Sequence, residues 1–201
     1  MARYTGPTHK LCRRARQPLC QSKKCAVDRR PYPPGEHGRG RIRETDYQIQ
    51  LREKQKLRAM YGVLERQFRR YYREAARQRG ITGESLLRIL ETRLDNVVYR
   101  AGFAQTRPQA RQLVNHGHFE VNGKKVDIPS YQVRAGDVIT LRERSRNLII
   151  VEHSLETVTH SLPEWLEINA DERTIVVQDV PNRAQIDTQI REQLVVELYS
   201  R

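Results

Sequence analysis

The 201-residue chain holds no apolar run that approaches the ~20 residues of a membrane-spanning helix, and its start, MARYTGPTHK, lacks the apolar stretch of a secretory signal. Nothing in it directs the protein out of the cytosol, so a cytoplasmic protein with no membrane partner is expected. Cysteine is scarce. Three residues cannot all pair as disulfides, and a cytosolic chain keeps them reduced. Catalytic signatures are missing too. Gly117, Gly123 and Lys124 have the outline of a phosphate loop, but five residues separate the glycines and Lys125, not Ser or Thr, follows. His118-x-Glu120 has no Pro-Cys-x-x-Cys after it, which excludes the zinc deaminase pattern. No Gly-x-Ser-x-Gly elbow, internal repeat, heptad run or DNA-reading helix of the homeodomain kind is present. A binding protein is expected, not an enzyme.

What the chain has in excess is positive charge, and it is unevenly spread. The formal net charge is +13, yet residues 1–90 carry 23 Lys/Arg against 8 Asp/Glu, and residues 156–201 carry 4 against 9. Residues 91–155 lie between, with 10 against 7. A field concentrated in the front half points to a polyanion gripped there, and the acidic end is expected to stay off it. Arginine outnumbers lysine 30 to 7. Its planar guanidinium makes bidentate phosphate contacts and stacks on bases. Aromatics are interleaved with the charge, at Tyr4 beside Arg3, in Phe68-Arg69-Arg70-Tyr71-Tyr72-Arg73 and at Tyr131. That mixture suits irregular RNA, whose exposed bases can stack, better than duplex DNA or an anionic membrane.

The first 45 residues offer little to bury and many breakers: Pro7, Pro18, Pro31, Pro33-Pro34-Gly35, Gly38 and Gly40. Such a segment is expected to be ordered by a metal, by RNA, or by both. A helix is expected from Thr45, with Gln48 completing a capping box, through Leu51 and Leu57 to Tyr61, where Gly62 breaks it. A second is expected over 64–79 before Gly80, and Thr82 starts a third with Leu86, Leu87 and Leu90. Leu94, Val97, Val98 and Ala101 then repeat with helical spacing before Gly102. Thr106 can cap with Gln109, and Ala110, Leu113 and Val114 face inward before Gly117. Asn122-Gly123 tolerates positive φ at both positions of a type I′ turn, so 119–121 should pair with 125–128. This grouping puts Arg107, Arg111, Gln112 and His116 outside one helix and Lys124 and Lys125 beside the hairpin tip. Residues 138–152 read as strands and a loop, Ile175-Val176-Val177 as a strand, and 187–199 as a closing amphipathic helix.

The three cysteines and one histidine make the pattern His9-x2-Cys12-x7-Cys20-x4-Cys25. Two close pairs of soft or borderline ligands can surround one tetrahedral Zn²⁺, and a structural ion would supply the order the segment lacks. The bland alternative is three ordinary thiols and a histidine that meets a phosphate.

The string RLDNVVYRAGFAQTRPQARQLVNHGHFEVNGKKVDIPSYQVRAGD closely resembles the RNA-binding module named after ribosomal protein S four. The segments ARYTGP, RRPYPPGEHG, LREKQKLRAMYG, LERQFRRYYREAARQRGITGESLL and EQLVVELYSR resemble the bacterial-type small-subunit ribosomal proteins of that family. Between residues 155 and 180 little beyond Trp165-Leu166 carries the likeness. The resemblance implies an α+β fold: a mostly helical domain at 46–90, completed by 156–201, with a two-helix plus β-hairpin RNA-binding module inserted at 91–155. An extended N-terminal segment, 1–45, precedes them and holds the candidate zinc knuckle. Some members of that family carry four cysteines at this knuckle and others none; here His9 stands at the first position.

The function expected is that of a structural constituent of the small ribosomal subunit, a primary rRNA-binding protein that organises a multi-helix junction during assembly. Expected RNA contacts are Arg3, Arg13, Arg14, Arg29 and Arg30 in the extension, and Arg52, Lys54, Lys56, Arg58, Arg69, Arg70 and Arg73 in the long helices. The module adds Arg107, Arg111, Gln112, His116, His118, Lys124 and Tyr131. By resemblance alone, Arg39, Arg41 and Arg43 would meet mRNA where it enters the subunit, and residues 185–200 would touch a neighbouring ribosomal protein at an interface tied to decoding accuracy. No homo-oligomer is expected. Two alternatives stay open at this point: a stand-alone RNA-binding stress or ribosome-recycling factor with the same module, and a zinc-dependent DNA regulator.

Overall fold

The computed structural model describes residues 3–20, 24–40, 43–158 and 161–200. In chain order its helices are α1 (Thr8–Ala15), α2 (Ala26–Arg29), α3 (Asp46–Met60), α4 (Glu65–Arg77), α5 (Thr82–Glu91), α6 (Leu94–Arg100), α7 (Arg107–Asn115), α8 (Ile149–Glu156) and α9 (Glu192–Tyr199). Its strands are β1 (Phe119–Val121), β2 (Lys124–Lys125), β3 (Val138–Leu141), β4 (Leu166–Asn169) and β5 (Thr174–Val177). They form two compact units, Met1–Gly83 with Thr188–Arg201, and Glu84–Asp187.

In the first unit the helix boundaries follow the caps. The Thr45 hydroxyl accepts the Gln48 N–H at 3.4 Å, and Gly62, with φ of 63°, takes the left-handed turn that stops α3. Helix α4 buries Phe68, Tyr71 and Ala75, one stripe with helical spacing. The closing helix completes this unit. Tyr199 stacks on Tyr72 with centroids 4.6 Å apart, and Gln50 Nε2 donates to Glu197 Oε2 at 3.0 Å. Helix α9 begins at Glu192, so residues 187–191 are not part of it.

The second unit wraps helices on a five-stranded antiparallel sheet of order β2-β1-β3-β5-β4. Val121 pairs with Ile139 and Ile139 with Ile175, which lines one face with branched apolar side chains. Phe119, Leu141 and Val177 join that buried face, and α6, α7 and α8 cover it with Leu94, Val98, Val114 and Val151. Trp165 and Leu166 belong to the same core, so the unit runs to 187 and not to the expected boundary at 155.

Two local expectations fail for physical reasons. Residues 149–156 are helix α8, not strand, although Ile149-Ile150-Val151 is β-branched. Strand β3 already pairs on both edges, and a helix buries Val151 and Ser154 one turn apart. The hairpin pairs only 124–125 with 120–121. Val126 N–H still donates to Phe119 O at 3.2 Å, but the chain then diverts to α6, where Pro129 O and Tyr131 O accept the Asp95 and Leu94 N–H groups at 3.2 and 2.8 Å. Those donors are orphans of a helix start, and satisfying them outweighs a longer ladder. At α7, Thr106 caps the Gln109 N–H as expected, and the Gln109 side chain accepts from Gln105 N at 2.9 Å.

Candidate nucleic-acid interface

Helix α4 sorts its residues by angle. Positions 66, 69, 70, 73 and 77 fall within an arc of about 100° at 100° per residue, opposite Phe68, Tyr71 and Ala75. All five are exposed arginines. Arg69, Arg70 and Arg73 were expected here; Arg66 and Arg77 extend the row to roughly 16 Å at 1.5 Å per residue. A comb of guanidinium groups on a rigid helix matches a run of phosphates.

The cations of α3 behave differently. Lys54 Nζ sits 3.0 Å from Glu65 Oε2 and 5.7 Å from the Tyr199 ring centroid, and Lys56 Nζ is 3.2 Å from Glu53 Oε1. Both lysines are buried, and Arg58 lies 3.5 Å from Glu65. Burial alone would raise the Glu65 carboxyl, but hydrogen bonds from Tyr199 and Lys54 hold it below its ordinary value. Burial and the bond to Glu65 push the Tyr199 phenol up. Arg52 makes a two-pronged contact with Glu44 at 2.9 and 2.7 Å. Hydrogen bonds from Arg52, and then the charges of Arg52 and Arg16, hold Glu44 down at about 2 against the pull of desolvation. Most of this set therefore serves the helical unit itself.

In the extension, Arg3, Arg14, Arg29 and Arg30 are exposed. Arg13 instead donates to the Tyr32 and Pro33 carbonyls at 3.0 and 3.2 Å and lies over the Tyr32 ring at 4.9 Å. Arg39 covers the same ring at 5.0 Å and donates to the phenol oxygen at 3.2 Å, which lowers the Tyr32 pKa. An open cavity of about 430 Å³ borders Tyr32, Arg39 and Arg16. Arg43 is exposed; Arg41 lies outside the described residues.

The knuckle residues converge. His9 and Cys12 sit on α1, Cys20 follows it, and Cys25 caps α2. Their ligand atoms all lie within 4.8 Å of one another. Cys20 Sγ is 3.4 Å from Cys25 Sγ and 3.7 Å from His9 Nδ1, and Cys25 Sγ is 4.0 Å from that nitrogen. A tetrahedron with Zn–S of 2.3 Å has S–S edges of about 3.8 Å, so the donor set fits a four-coordinate ion of that size.

In the module two expected contacts are framed from behind. Arg107 Nε donates to Asn96 Oδ1 at 2.8 Å with its guanidinium 4.4 Å above the Tyr99 ring. Arg111 lies 3.5 Å from Asp95, which also holds the buried Arg93 at 2.6 Å. Glu91 anchors the other end, accepting from Arg100 at 2.7 Å and from Asn96 at 2.6 Å. Gln112, His116, Lys124 and Tyr131 are exposed. His118 shares a 2.9 Å hydrogen bond with Ser145; burial, then the neighbouring His116 and Arg144 charges, lower its pKa. Arg144 is exposed in the turn Glu143–Ser145 and joins this group without having been expected. No local pattern announces it, because only folding brings it to His118. Arg66 and Arg77, by contrast, were legible from helical spacing. Asn122 has a second task also missed in the sequence: its Oδ1 accepts the Val138 N–H at 2.9 Å and its Nδ2 donates to Asp137 at 2.8 Å.

The arrangement is a set of outward cations on two supported surfaces, and no catalytic constellation occurs among the described residues. Residues 3–91 match the family described as the ribosomal protein S4/S9 N-terminal domain, and residues 92–139 match the S4 domain. Among curated relatives, the small ribosomal subunit protein uS4 of Citrifermentans bemidjiense is 56% identical over 208 residues, covering all of both chains. The uS4 proteins of Thermoanaerobacter pseudethanolicus and Acidothermus cellulolyticus are each 56% identical, again end to end.

Proposed function

This chain belongs to the uS4 family of small ribosomal subunit proteins, and from that premise we propose that it binds small-subunit rRNA directly and holds a multi-helix junction in one geometry during assembly. It is a constituent of the small subunit of the cytoplasmic ribosome and not an enzyme. The observation that carries the rRNA reading is the arginine row of α4, set on a helix whose opposite face is fixed by Phe68 and Tyr71. Neutralising phosphates with such a row releases counterions, so affinity is mostly electrostatic and falls steeply with salt. Specificity then comes from RNA shape. The exposed cations of the extension, Arg3, Arg14, Arg29 and Arg30, and the module group Gln112, His116, His118, Lys124 and Arg144 add to the grip. A stand-alone stress or recycling factor is disfavoured, since the likeness covers the extension as well as the module.

Zinc is the ion we assign to His9, Cys12, Cys20 and Cys25, with a structural role: it would join α1 to α2 where little apolar surface is available. Arg39, Arg41 and Arg43 are assigned to mRNA where it enters the subunit, supported by the exposure of Arg39 and Arg43. Residues 185–200 are assigned to contact with a neighbouring ribosomal protein that bears on decoding accuracy.

Filter binding to the small-subunit rRNA fragment across a salt series tests the central reading. A steep linear fall of log affinity with log salt is expected, together with one copy per small subunit after sedimentation at high salt. A flat salt response would refute the phosphate-dominated grip.

A further inference from the structure

The three sulfurs of the knuckle are not equally sheltered. Cys12 is fully buried on α1, and Cys25 is 4% exposed, whereas Cys20 is half-buried on the segment that follows α1. Cys20 Sγ stands 3.4 Å from Cys25 Sγ, so closing a disulfide of about 2.05 Å needs a shift of roughly 1.4 Å. Neither residue lies inside a helix: Cys25 has extended backbone, φ −73° and ψ 142°, as the residue before α2. Cys12, in contrast, is locked in the second turn of α1.

We propose that the knuckle is a peroxide-sensitive clasp, in which oxidation joins Cys20 to Cys25 and expels the metal. The inference rests on reading His9, Cys12, Cys20 and Cys25 as one metal site, and it assigns different duties to the three thiols. Cys20 is the thiol attacked first, because it is the one solvent reaches. Its thiolate sulfur attacks one oxygen of hydrogen peroxide; the S–O bond forms, the O–O bond breaks, and the departing hydroxide takes up a proton as water. The Cys25 thiolate then attacks the Cys20 sulfur, the S–S bond forms, and the S–O bond breaks with loss of a second hydroxide, also protonated to water. Two thiolates have lost two electrons and one peroxide has gained them. His9 and Cys12 remain, two donors where a tetrahedral ion needs four, so the ion leaves for water.

The consequence reaches the RNA-facing residues through Arg13. It is the residue after Cys12, and its bonds to the Tyr32 and Pro33 carbonyls tie α1 to the Tyr32 segment. Losing the ion loosens α1 and, with it, the seat of Arg39 on Tyr32. Because the cytosol is reducing, the disulfide would be transient and reversible.

The test uses the full-length wild-type protein in two arms. In the first, metal-free reduced protein receives one equivalent of hydrogen peroxide, free thiols are alkylated, and tryptic peptides are weighed. Cleavage after Lys23 and Lys24 separates the two cysteines, so a cross-link joins two peptides. The expected product links Cys20 to Cys25 and leaves Cys12 alkylated; a bond to Cys12, or sulfinic acid without a disulfide, overturns the proposal. In the second arm, zinc-loaded protein is oxidised beside a chromogenic chelator. About one equivalent of zinc released per disulfide is expected, recovered by thiol reductant and fresh zinc. A disulfide that forms with zinc retained overturns the clasp. Failure of the protein to take up zinc sinks the metal reading and the release step with it, while the first arm still decides the thiol assignment. Cys12→Ser should keep the cross-link and Cys20→Ser should abolish it.

Discussion

Lys54 Nζ lies 3.0 Å from Glu65 Oε2, and the same carboxylate accepts the Tyr199 hydroxyl at 2.7 Å, so one acidic side chain joins α3, α4 and α9. A lysine that looks in sequence like a phosphate ligand is thus spent inside the helical unit. Lys54→Ala should lower stability by roughly 1–2 kcal/mol, below the cost of breaking a fully buried pair because Glu65 is 41% exposed. Urea unfolding reads this. The salt slope of rRNA binding, measured on folded protein, should stay at the wild-type value; a lower slope would return Lys54 to the interface.

The opposite pattern is expected on α4. Replacing Arg70 and Arg73 by Gln leaves Phe68, Tyr71 and Ala75 untouched, so the urea midpoint should not move. Each lost phosphate contact should reduce the slope of log affinity against log salt by somewhat less than one, about 0.7 where the RNA is single-stranded. Arg66→Gln and Arg77→Gln should behave the same way. An unchanged slope in all four variants would remove α4 from the interface.

These two helices mark what can be read before folding. Caps and stops at Thr45, Gly62, Thr106 and Gly117, and the Asn122-Gly123 turn, depend on neighbours within four residues and are visible in the sequence. So is the His9, Cys12, Cys20 and Cys25 cluster, whose two close pairs stand out in the sequence and converge in the fold. What was hidden depends on long-range partners. Lys54 and Lys56 are drawn inward by acids that only the packed helices supply. Ile149-Ile150-Val151 has strand propensity, yet no strand edge beside β3 is vacant. Strand β5 shows in sequence as Ile175-Val176-Val177, but β4 does not, because Leu166–Asn169 becomes a strand only by pairing with β5.

Acid should reveal the Glu44 contact. Its carboxyl titrates near 2 in the folded protein against an ordinary value of 4.5, so the unfolded chain binds the extra proton first. Stability from this group is therefore whole above about pH 4.5 and is lost as pH falls toward 2. Glu44→Gln should flatten the acid limb of the unfolding curve in that window and leave neutral-pH binding of rRNA unchanged. An acid limb identical to wild type would mean that Arg16 and Arg52 do not hold Glu44 in solution.

Removing the metal should act locally. Stripping zinc with a chelator is expected to speed amide exchange in Thr8–Ala15 and Ala26–Arg29, whose shared apolar cluster among the described residues is Cys12, Cys25 and Val27 with Leu19 and Cys20 at its edge. Exchange in β1, β3 and β5 should not change, because their core contains none of those residues. His9→Ala should reproduce the effect at subsaturating zinc. Uniform protection with and without chelator would show that the segment orders itself unaided.

Asn122 separates turn chemistry from sheet chemistry at the tip that presents Lys124. Its φ of 50° is a left-handed conformation that Asn tolerates and Ala does not, and its side chain holds Val138 N–H and Asp137 across to β3. Asn122→Gly keeps the backbone freedom and loses only the two side-chain bonds, at about 1 kcal/mol each. Asn122→Ala loses those bonds and adds left-handed strain of roughly 1 kcal/mol, so it should be the less stable variant. Thermal unfolding of the pair reads the difference. If Gly and Ala cost the same, strain at the turn is negligible and the bonds to β3 alone set the hairpin. If Gly costs nothing, those bonds are worthless and the turn alone sets it. The expected order, wild type above Gly above Ala, requires both, and it predicts that rRNA affinity falls with Lys124 presentation in the same order.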